Sequence, residues 1–383
     1  MTPPHIVIFY NCIPHYRKAF FEKLSASEDL NVTFLADDTT DTKHMEVIAS
    51  SSDSMRIRPV RTKALRLLGK TLFAHPGILK ALRQEKPDML IPLGNPHILT
   101  TWLIMLWGRI HSIPVVLWTH GTLRKEHGIK RLFRLAYYRL SAGLFLYGAH
   151  AQQLLQEMGL KHTPMYPIYN SLDYEAQRAI SEMTSPEDIS KFRESLGIGT
   201  ASKVLIFTGR LQPVKKLDLL VKLTKRLNLE TLDTHCILIG DGDERERLQE
   251  LALTLGVADK FHFLGAVHDE EKLGLAMLSA DLYVIPSGAG LSVMHALGYG
   301  VPVLLHDNFE HHFPEWEAVE HCVNGLFYRE NDMEDMIDKA ISYLTGKHPE
   351  IQPDACYRAI EAKYTAEKQY RVILPAIREI LGK

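Results

Sequence analysis

Ala280-Asp-Leu-Tyr-Val-Ile-Pro-Ser-Gly-Ala-Gly-Leu-Ser-Val-Met-His-Ala-Leu-Gly-Tyr-Gly-Val-Pro302 is the stretch on which the reading of this chain turns. Leu282 to Ile285 is a short, apolar, β-rich run that reads as a buried strand. Pro286-Ser287-Gly288-Ala289-Gly290 follows as a turn, whose glycines permit close backbone approaches that a Cβ would forbid. Leu291, Met294 and Leu297 then recur at helical spacing, and Gly298-Tyr299-Gly300 ends the helix before a strand at Val301. A strand, a glycine turn and a helix N-terminus together present free N–H groups and a positive dipole to an anion. The alternative for this stretch alone is an ordinary βαβ crossover without a ligand.

The same alternation extends in both directions. Towards the N-terminus, strands are expected at His5–Tyr10, Asn31–Ala36, Met89–Pro92, Val115–Trp118 and Gly143–Tyr147, separated by helical segments. Tyr166 to Asp173 reads as the last strand and exit of a first α/β domain. Tyr174 to Lys203 is polar and helical in pattern, and reads as a connection. A second series of strands begins at Val204–Thr208 and continues at Ile237–Gly240, Phe261–Leu264, Leu282–Ile285, Val301–Leu305 and Gly325–Tyr328. Strands alternating with helices call for mostly parallel, doubly wound sheets. The chain has 383 residues, enough for two domains with their own cores. The expected division is 1–175 and 176–365, with a C-terminal helix, 366–383, returning to the first domain.

Composition narrows the function. Hydrophobic residues make up 46% and charged residues 23%, as in an ordinary globular protein. A net charge of −2 argues against a nucleic-acid partner. Cys12, Cys236, Cys322 and Cys356 show no paired spacing and read as reduced thiols of a cytosolic protein. The N-terminus lacks the basic and long apolar regions of a signal peptide, and the most apolar stretch, Ile98 to Trp107, is too short to span a bilayer.

Two further segments offer chemistry. Thr208-Gly209-Arg210-Leu-Gln-Pro-Val-Lys215 places two cations in one loop after a strand. A diphosphate suits such a loop, because Arg binds phosphate oxygens bidentately and Lys supplies a compact charge. Leu238-Ile-Gly240-Asp241-Gly242-Asp243 is again a strand running into a glycine turn; its aspartates read as turn or helix caps rather than metal ligands.

In this order the segments resemble the family 4 retaining glycosyltransferases. Gly209–Asp218, Ile239–Leu248, Phe263–Val267 and Pro286–Val303 stand where that family carries G-R-L-x-P-x-K, I-G-D-G-P, F-L-G-x-V and the E-x7-E block. Pro14-His-Tyr-Arg17, Trp118-Thr-His-Gly121 and Tyr169-Asn-Ser-Leu-Asp173 match its first half more loosely. The resemblance implies an α/β fold of two Rossmann-like domains facing across a cleft (GT-B), and transfer of a sugar from a nucleoside diphosphate to a glycan or lipid-linked acceptor in cell-surface polysaccharide synthesis. Neither a cofactor nor a metal is implied. His120, Arg210 and Lys215 take the catalytic places. Gly209, Gly240, Gly242, Val267, Ser287, Gly290, Leu291, His295 and Glu315 take donor-binding places, and Asn11, His15, Tyr16 and Arg17 border the acceptor. The two glutamates of the family block are replaced here by Ser287 and His295. That departure keeps two other readings open, a nucleotide-sugar epimerase and a non-catalytic nucleotide-sugar-binding subunit. Basic segments, Arg56 to Lys70 and Arg124 to Arg139, suggest a peripheral protein on an anionic, cytoplasmic membrane face.

Overall fold

The computed structural model describes residues 2–38, 48, 51, 55–67 and 69–382. It divides into two compact units, one of residues 1–173 with 365–383 and one of residues 174–364. Each is built on parallel strands flanked by helices, and the first also carries an antiparallel hairpin.

The first unit contains β1 (His5–Cys12), β2 (Asn31–Asp37), β3 (Arg56–Pro59), β4 (Lys63–Leu67), β5 (Lys70–Ala74), β6 (Met89–Pro92), β7 (Val116–Thr119), β8 (Gly143–Leu146) and β9 (Met165–Pro167). Its helices are α1 (Lys18–Ser25), α2 (Ile78–Glu85), α3 (Leu99–Ile110), α4 (Gly128–Arg139) and α5 (Ala149–Glu157), with the C-terminal helix Ala366–Leu381. Strands run in the order β3-β2-β1-β6, and single parallel bridges, Leu90 to Val115 and Leu93 to Trp118, join this set to β7-β8-β9. Hydrophobic side chains of β1, β2, β6, β7 and β8 are buried on both faces, as a parallel sheet covered on both sides requires. Trp118 is the hub of one layer, its ring meeting Tyr10, Phe20, Phe21 and Phe145 edge-on. Ile373, Ala376 and Ile377 of the C-terminal helix complete that layer, and Gln369 fastens the helix to the Tyr169 carbonyl and the Ser171 hydroxyl.

The basic segment from Arg56 to Lys70 differs from its sequence reading. It contains β3 and the hairpin β4–β5, because Ile57 alternates with the arginines and is buried while they are not. Acids absent from the segment itself come from elsewhere in the unit. Glu85 binds both Arg56 and Arg58, and Arg61 reaches Asp37 and Asp38.

The second unit holds α6 (Tyr174–Met183), α7 (Pro186–Ser195), β10 (Lys203–Thr208), α8 (Asp218–Leu229), β11 (Thr234–Ile239), α9 (Arg245–Thr254), β12 (Phe261–Gly265), α10 (Glu270–Leu278), β13 (Leu282–Ile285), α11 (Ser292–Gly298), β14 (Val303–His306), β15 (Gly325–Tyr328), α12 (Met333–Leu344) and α13 (Pro353–Lys363). Its six strands run β12-β11-β10-β13-β14-β15. Residues 174–203, read from sequence as a connection, are instead part of this unit. Arg193 binds Asp281 and the Ser279 carbonyl, and Tyr174 donates to Glu361. Helix starts follow local chemistry: Ser185 and Asp188 form a reciprocal capping box, and Asp269 and Asp332 accept N–H groups of the next turn.

Removing the hub ring tests the first core. Trp118→Ala should cost about 3–5 kcal/mol in urea unfolding, whereas the exposed Leu65→Ala should change stability little.

Candidate functional site

In both units the strand order reverses beside the first strand, between β1 and β6 and between β10 and β13. Crevices form at such reversals, at the carboxyl ends of the strands, because adjacent crossovers depart to opposite faces.

In the second unit β10 pairs with β11 as far as Thr208, but with β13 only at Leu205 and Ile206. The two strands then part. Tyr283 bridges the gap, its hydroxyl accepting the Thr208 N–H at 2.9 Å and donating to the Thr208 carbonyl at 3.0 Å. Arg210 and Lys215 leave on the β10 side of this opening, and Ser287 to Leu291 on the β13 side. Arg210 is exposed; Lys215 ends a short 3-10 turn, Pro213–Lys215, and its partial burial pulls the ammonium below the usual lysine pKa.

The turns after β10, β11 and β12 are joined through backbone. Gly209 N–H bonds the Ile239 carbonyl at 2.9 Å, Gly240 N–H the Gly265 carbonyl at 2.7 Å, and Leu211 N–H the Asp241 carbonyl at 3.0 Å. A Cβ on Gly240 would stand 1.9 Å from the Gly209 carbonyl oxygen, and one on Gly242 would stand 2.3 Å from that of Leu211. Both positions also have positive φ, so the glycines of this turn are needed for contact as well as conformation. Asp241 holds the Gly242 N–H, a turn role, while α9 begins without a side-chain cap. Val267 is half-buried in the loop after β12.

Across the opening, a histidine loop clamps the second glycine turn. His312 Nδ1 accepts the Ala289 N–H at 2.9 Å, and its Nε2 donates to the His306 carbonyl at 2.9 Å, which sets a neutral tautomer. Phe313 N–H bonds the Ala289 carbonyl, and a Cβ on Gly288 would meet the His311 carbonyl at 2.6 Å. Burial above all pushes His306 down to about 4, and its ring stacks on that of His312. Ser287 and Glu315 are both buried here. Among the described residues the N–H groups of Gly290 and Leu291 meet no backbone carbonyl. His295 faces other groups: its Nδ1 lies 3.0 Å from the Gln177 amide, beside Glu270, which accepts from Tyr299. With Nδ1 accepting from that amide, the ring proton sits on Nε2.

The first unit's edge is aromatic. Asn11 lies at the end of β1 and His15 to Arg17 form a short 3-10 turn after it; His15 and Tyr16 are exposed, but Arg17 is 2% exposed with its guanidinium over Tyr147, Tyr16 and Trp118. His120, at the end of β7, packs its ring on the same Tyr147, centroids 4.6 Å apart. The imidazole is exposed on one side; partial desolvation by the surrounding wall and then the nearby Arg17 charge lower its pKa to about 4. It is therefore neutral at pH 7.

Beside His120 lies a cavity of about 630 Å³ lined by Asn95, His97, Glu126, Lys130 and Phe133 among others. Arg134 forms its wall, gripping Glu126 with two bonds of 2.6 Å and the Gly121 carbonyl at 2.8 Å. This grip fixes the turn that carries His120. Arg134 stood in the sequence only as one charge of a basic run, and its partner Glu126 lies outside α4, so no sequence signal marked the pair. The aromatic partner Tyr147 escaped notice for the same reason, whereas His312 stands out in the sequence with His306 and His311 as a histidine that could stand in for the missing glutamates, and only its hold on the Ala289 N–H was not foreseen.

One set among the described residues has the donors and proximity for a metal: Cys322, His348 and Glu350, with donor atoms within 4.8 Å of one another. None of them is a predicted site residue. The His306, His311 and His312 rings direct nitrogens to Glu330 and backbone instead.

Residues 188–363 match the family Glycosyl transferases group 1. They make up the greater part of the second unit. An uncharacterized glycosyltransferase of Methanocaldococcus jannaschii is 32% identical over 144 residues, 37% of this chain and 35% of the relative; the chain thus spans about a third of that relative's length. Over the full chain the fold is shared with solved glycosyltransferases. A glycosyltransferase from Rickettsia africae superposes with a TM-score of 0.75 at 12% identity, covering 100% of this chain and 99% of its own. The Anabaena protein HepE, solved in complex with UDP, gives 0.71 at 18% identity, covering 98% and 100%. At these identities the likeness is one of fold.

The electrostatic reading of the first unit's edge is directly measurable. The His120 ring protons should titrate by NMR with a midpoint near 4. Arg17→Met, which removes a charge that lowers this value, should raise the midpoint; an unmoved midpoint would remove Arg17 from the account. In the second unit, Gly240→Ala should lose about 2 kcal/mol or more, because the added carbon meets backbone.

Proposed function

We propose that the protein is a retaining glycosyltransferase that moves a sugar from a nucleoside diphosphate to a glycan or lipid-linked acceptor, in the synthesis of cell-surface polysaccharide. One observation carries this reading. Two cations, Arg210 and Lys215, and a glycine turn with open N–H groups stand on either side of the crevice in the unit that matches the glycosyl transferases. HepE, with the same fold, binds UDP, which supports a uridine nucleotide as first candidate donor.

The chemistry follows from those groups. As the anomeric C–O bond breaks, negative charge gathers on the diphosphate, where Arg210 and Lys215 stabilise it without a metal. The partly desolvated Lys215 interacts with that charge more strongly than an exposed lysine would. The leaving phosphate oxygen takes the acceptor hydroxyl's proton on the same face, and the new C–O bond forms there with retention. Neutral His120 orients a donor-sugar hydroxyl. Gly209, Gly240, Gly242 and Val267 shape the nucleoside side, Ser287, Gly290, Leu291 and Glu315 the phosphate and sugar side, and His295 Nε2 donates to a ribose hydroxyl. Asn11, His15, Tyr16 and Arg17 serve the acceptor.

The engagement of His295 with Gln177 supports a second reading, a subunit that binds nucleotide sugar without turnover. Proton NMR with a panel of UDP-, GDP- and dTDP-sugars separates the readings. A transferase should slowly release free sugar that first appears as the donor's own anomer, and Lys215→Ala should slow this at least about 100-fold with an unchanged circular dichroism spectrum. Appearance of a new nucleotide sugar would identify an epimerase. Nucleotide binding without turnover across a range of acceptors would identify the subunit.

A further inference from the structure

The first unit carries an apolar face that its own core does not use. On α3, Leu99, Leu103, Leu106 and Ile110 recur at helical spacing and are exposed, Ile110 by 70%. The opposite side of α3 is buried, through Thr101, Ile104, Met105 and Trp107. On α4, Ile129, Leu132 and Phe133, with Leu140 at its C-terminal cap, repeat the pattern, Ile129 being 85% exposed. Trp102 of α3 packs its ring on Phe133 and Tyr137 of α4, so the two stripes share one surface. Between them runs a groove of about 450 Å³, lined by Leu99, Trp102, Leu103, Met105, Leu106 and Leu140, with Arg109 as its only charged residue. Two exposed apolar stripes side by side, with a groove between them, form the kind of contiguous surface that marks a contact.

Charge indicates the partner. From residue 89 to residue 156 the chain contains seven Lys or Arg residues and one acid, Glu126. Arg134 engages that acid. Arg109, Arg124, Lys130, Arg131 and Arg139 have no acidic partner among the described residues. A surface that combines protruding Leu, Ile and Phe with unpaired Lys and Arg suits a lipid interface, where acyl chains take the apolar groups and phosphates the cations. Arg109 at the groove matches a phosphate above an acyl chain. No described helix is long and apolar enough to cross a bilayer, so the contact would lie in the plane of the interface.

We infer that the α3–α4 face docks this protein on an anionic membrane. The segment from Arg56 to Lys70 is the weaker candidate, since Glu85, Asp37 and Asp38 already engage Arg56, Arg58 and Arg61. The inference does not rest on the proposed sugar transfer, and its test contains no sugar.

Co-sedimentation of the full chain with phosphatidylglycerol–phosphatidylcholine vesicles provides that test. The protein should bind the mixed vesicles, bind pure phosphatidylcholine weakly, and dissociate as salt is raised. The double variant Leu106→Glu/Ile110→Glu, and separately Arg109→Glu, should each lower the partition coefficient about tenfold or more while thermal unfolding stays unchanged. Wild-type protein remaining in solution with anionic vesicles would overturn the inference. So would variants that partition like wild type, which would place the contact on another surface. Light scattering that showed a concentration-dependent dimer, lost in Leu106→Glu/Ile110→Glu and without vesicle binding, would assign the face to a second copy of the chain.

Discussion

A strand of a parallel sheet cannot return to its neighbour through a tight turn; it needs a crossover long enough to run back along the sheet. That constraint shapes both units. Crossovers cover the two faces, so the strands become apolar throughout, and every loop leaving a strand's carboxyl end gathers at one edge. Where the crossovers change face, beside β1 and beside β10, loops diverge and an opening remains. Arg17 and Arg210 both occur in the loop after such a first strand. Their placement follows from topology before any side-chain chemistry is considered.

Rigidity at that edge comes from close backbone contact and not from buried apolar volume. In the second unit the turns of Gly209, Gly240 and Gly265 bond one another directly, which leaves no space for a Cβ at Gly240. His312 performs the equivalent task for Gly288 to Gly290, and its neutral tautomer is set because one ring nitrogen accepts while the other donates. In the first unit the Arg134–Glu126 pair holds Gly121, and with it the end of β7. Preformed turns lower the cost of ordering loops around a ligand.

Electrostatics at the two edges differ. Arg17 is buried among rings whose faces are weakly negative, and its charge adds to the desolvation that lowers the basicity of His120 nearby. Lys215 is only partly desolvated and retains access to an incoming anion. The lowered pKa of the imidazole in one unit and of the ammonium in the other both follow first from desolvation, which the residue types alone would not reveal.

Local pattern in the chain was enough to establish the alternation of strands and helices, both strand series and the glycine turns, because strand burial and turn conformation are properties of a few consecutive residues. Strands β13 and β15 coincide with their expected bounds, and Gly298 to Gly300 ends α11 as read. Pattern failed where meaning depends on distant partners. Arg56 and Arg58 looked like unneutralised charge until Glu85, from α2, was folded against them. Residues 174–203 looked like a connection until Asp281 and Glu361 supplied contacts. The pairing of His295 with Gln177, the seat of His312 and the shared face of α3 and α4 join residues whose spacing in the chain carries no period. The sequence by itself determined the elements and the loops that can meet an anion, whereas only the tertiary structure decided which charges are answered, which histidines stay neutral and which apolar stripes remain uncovered, because burial and pairing depend on what the rest of the chain brings alongside.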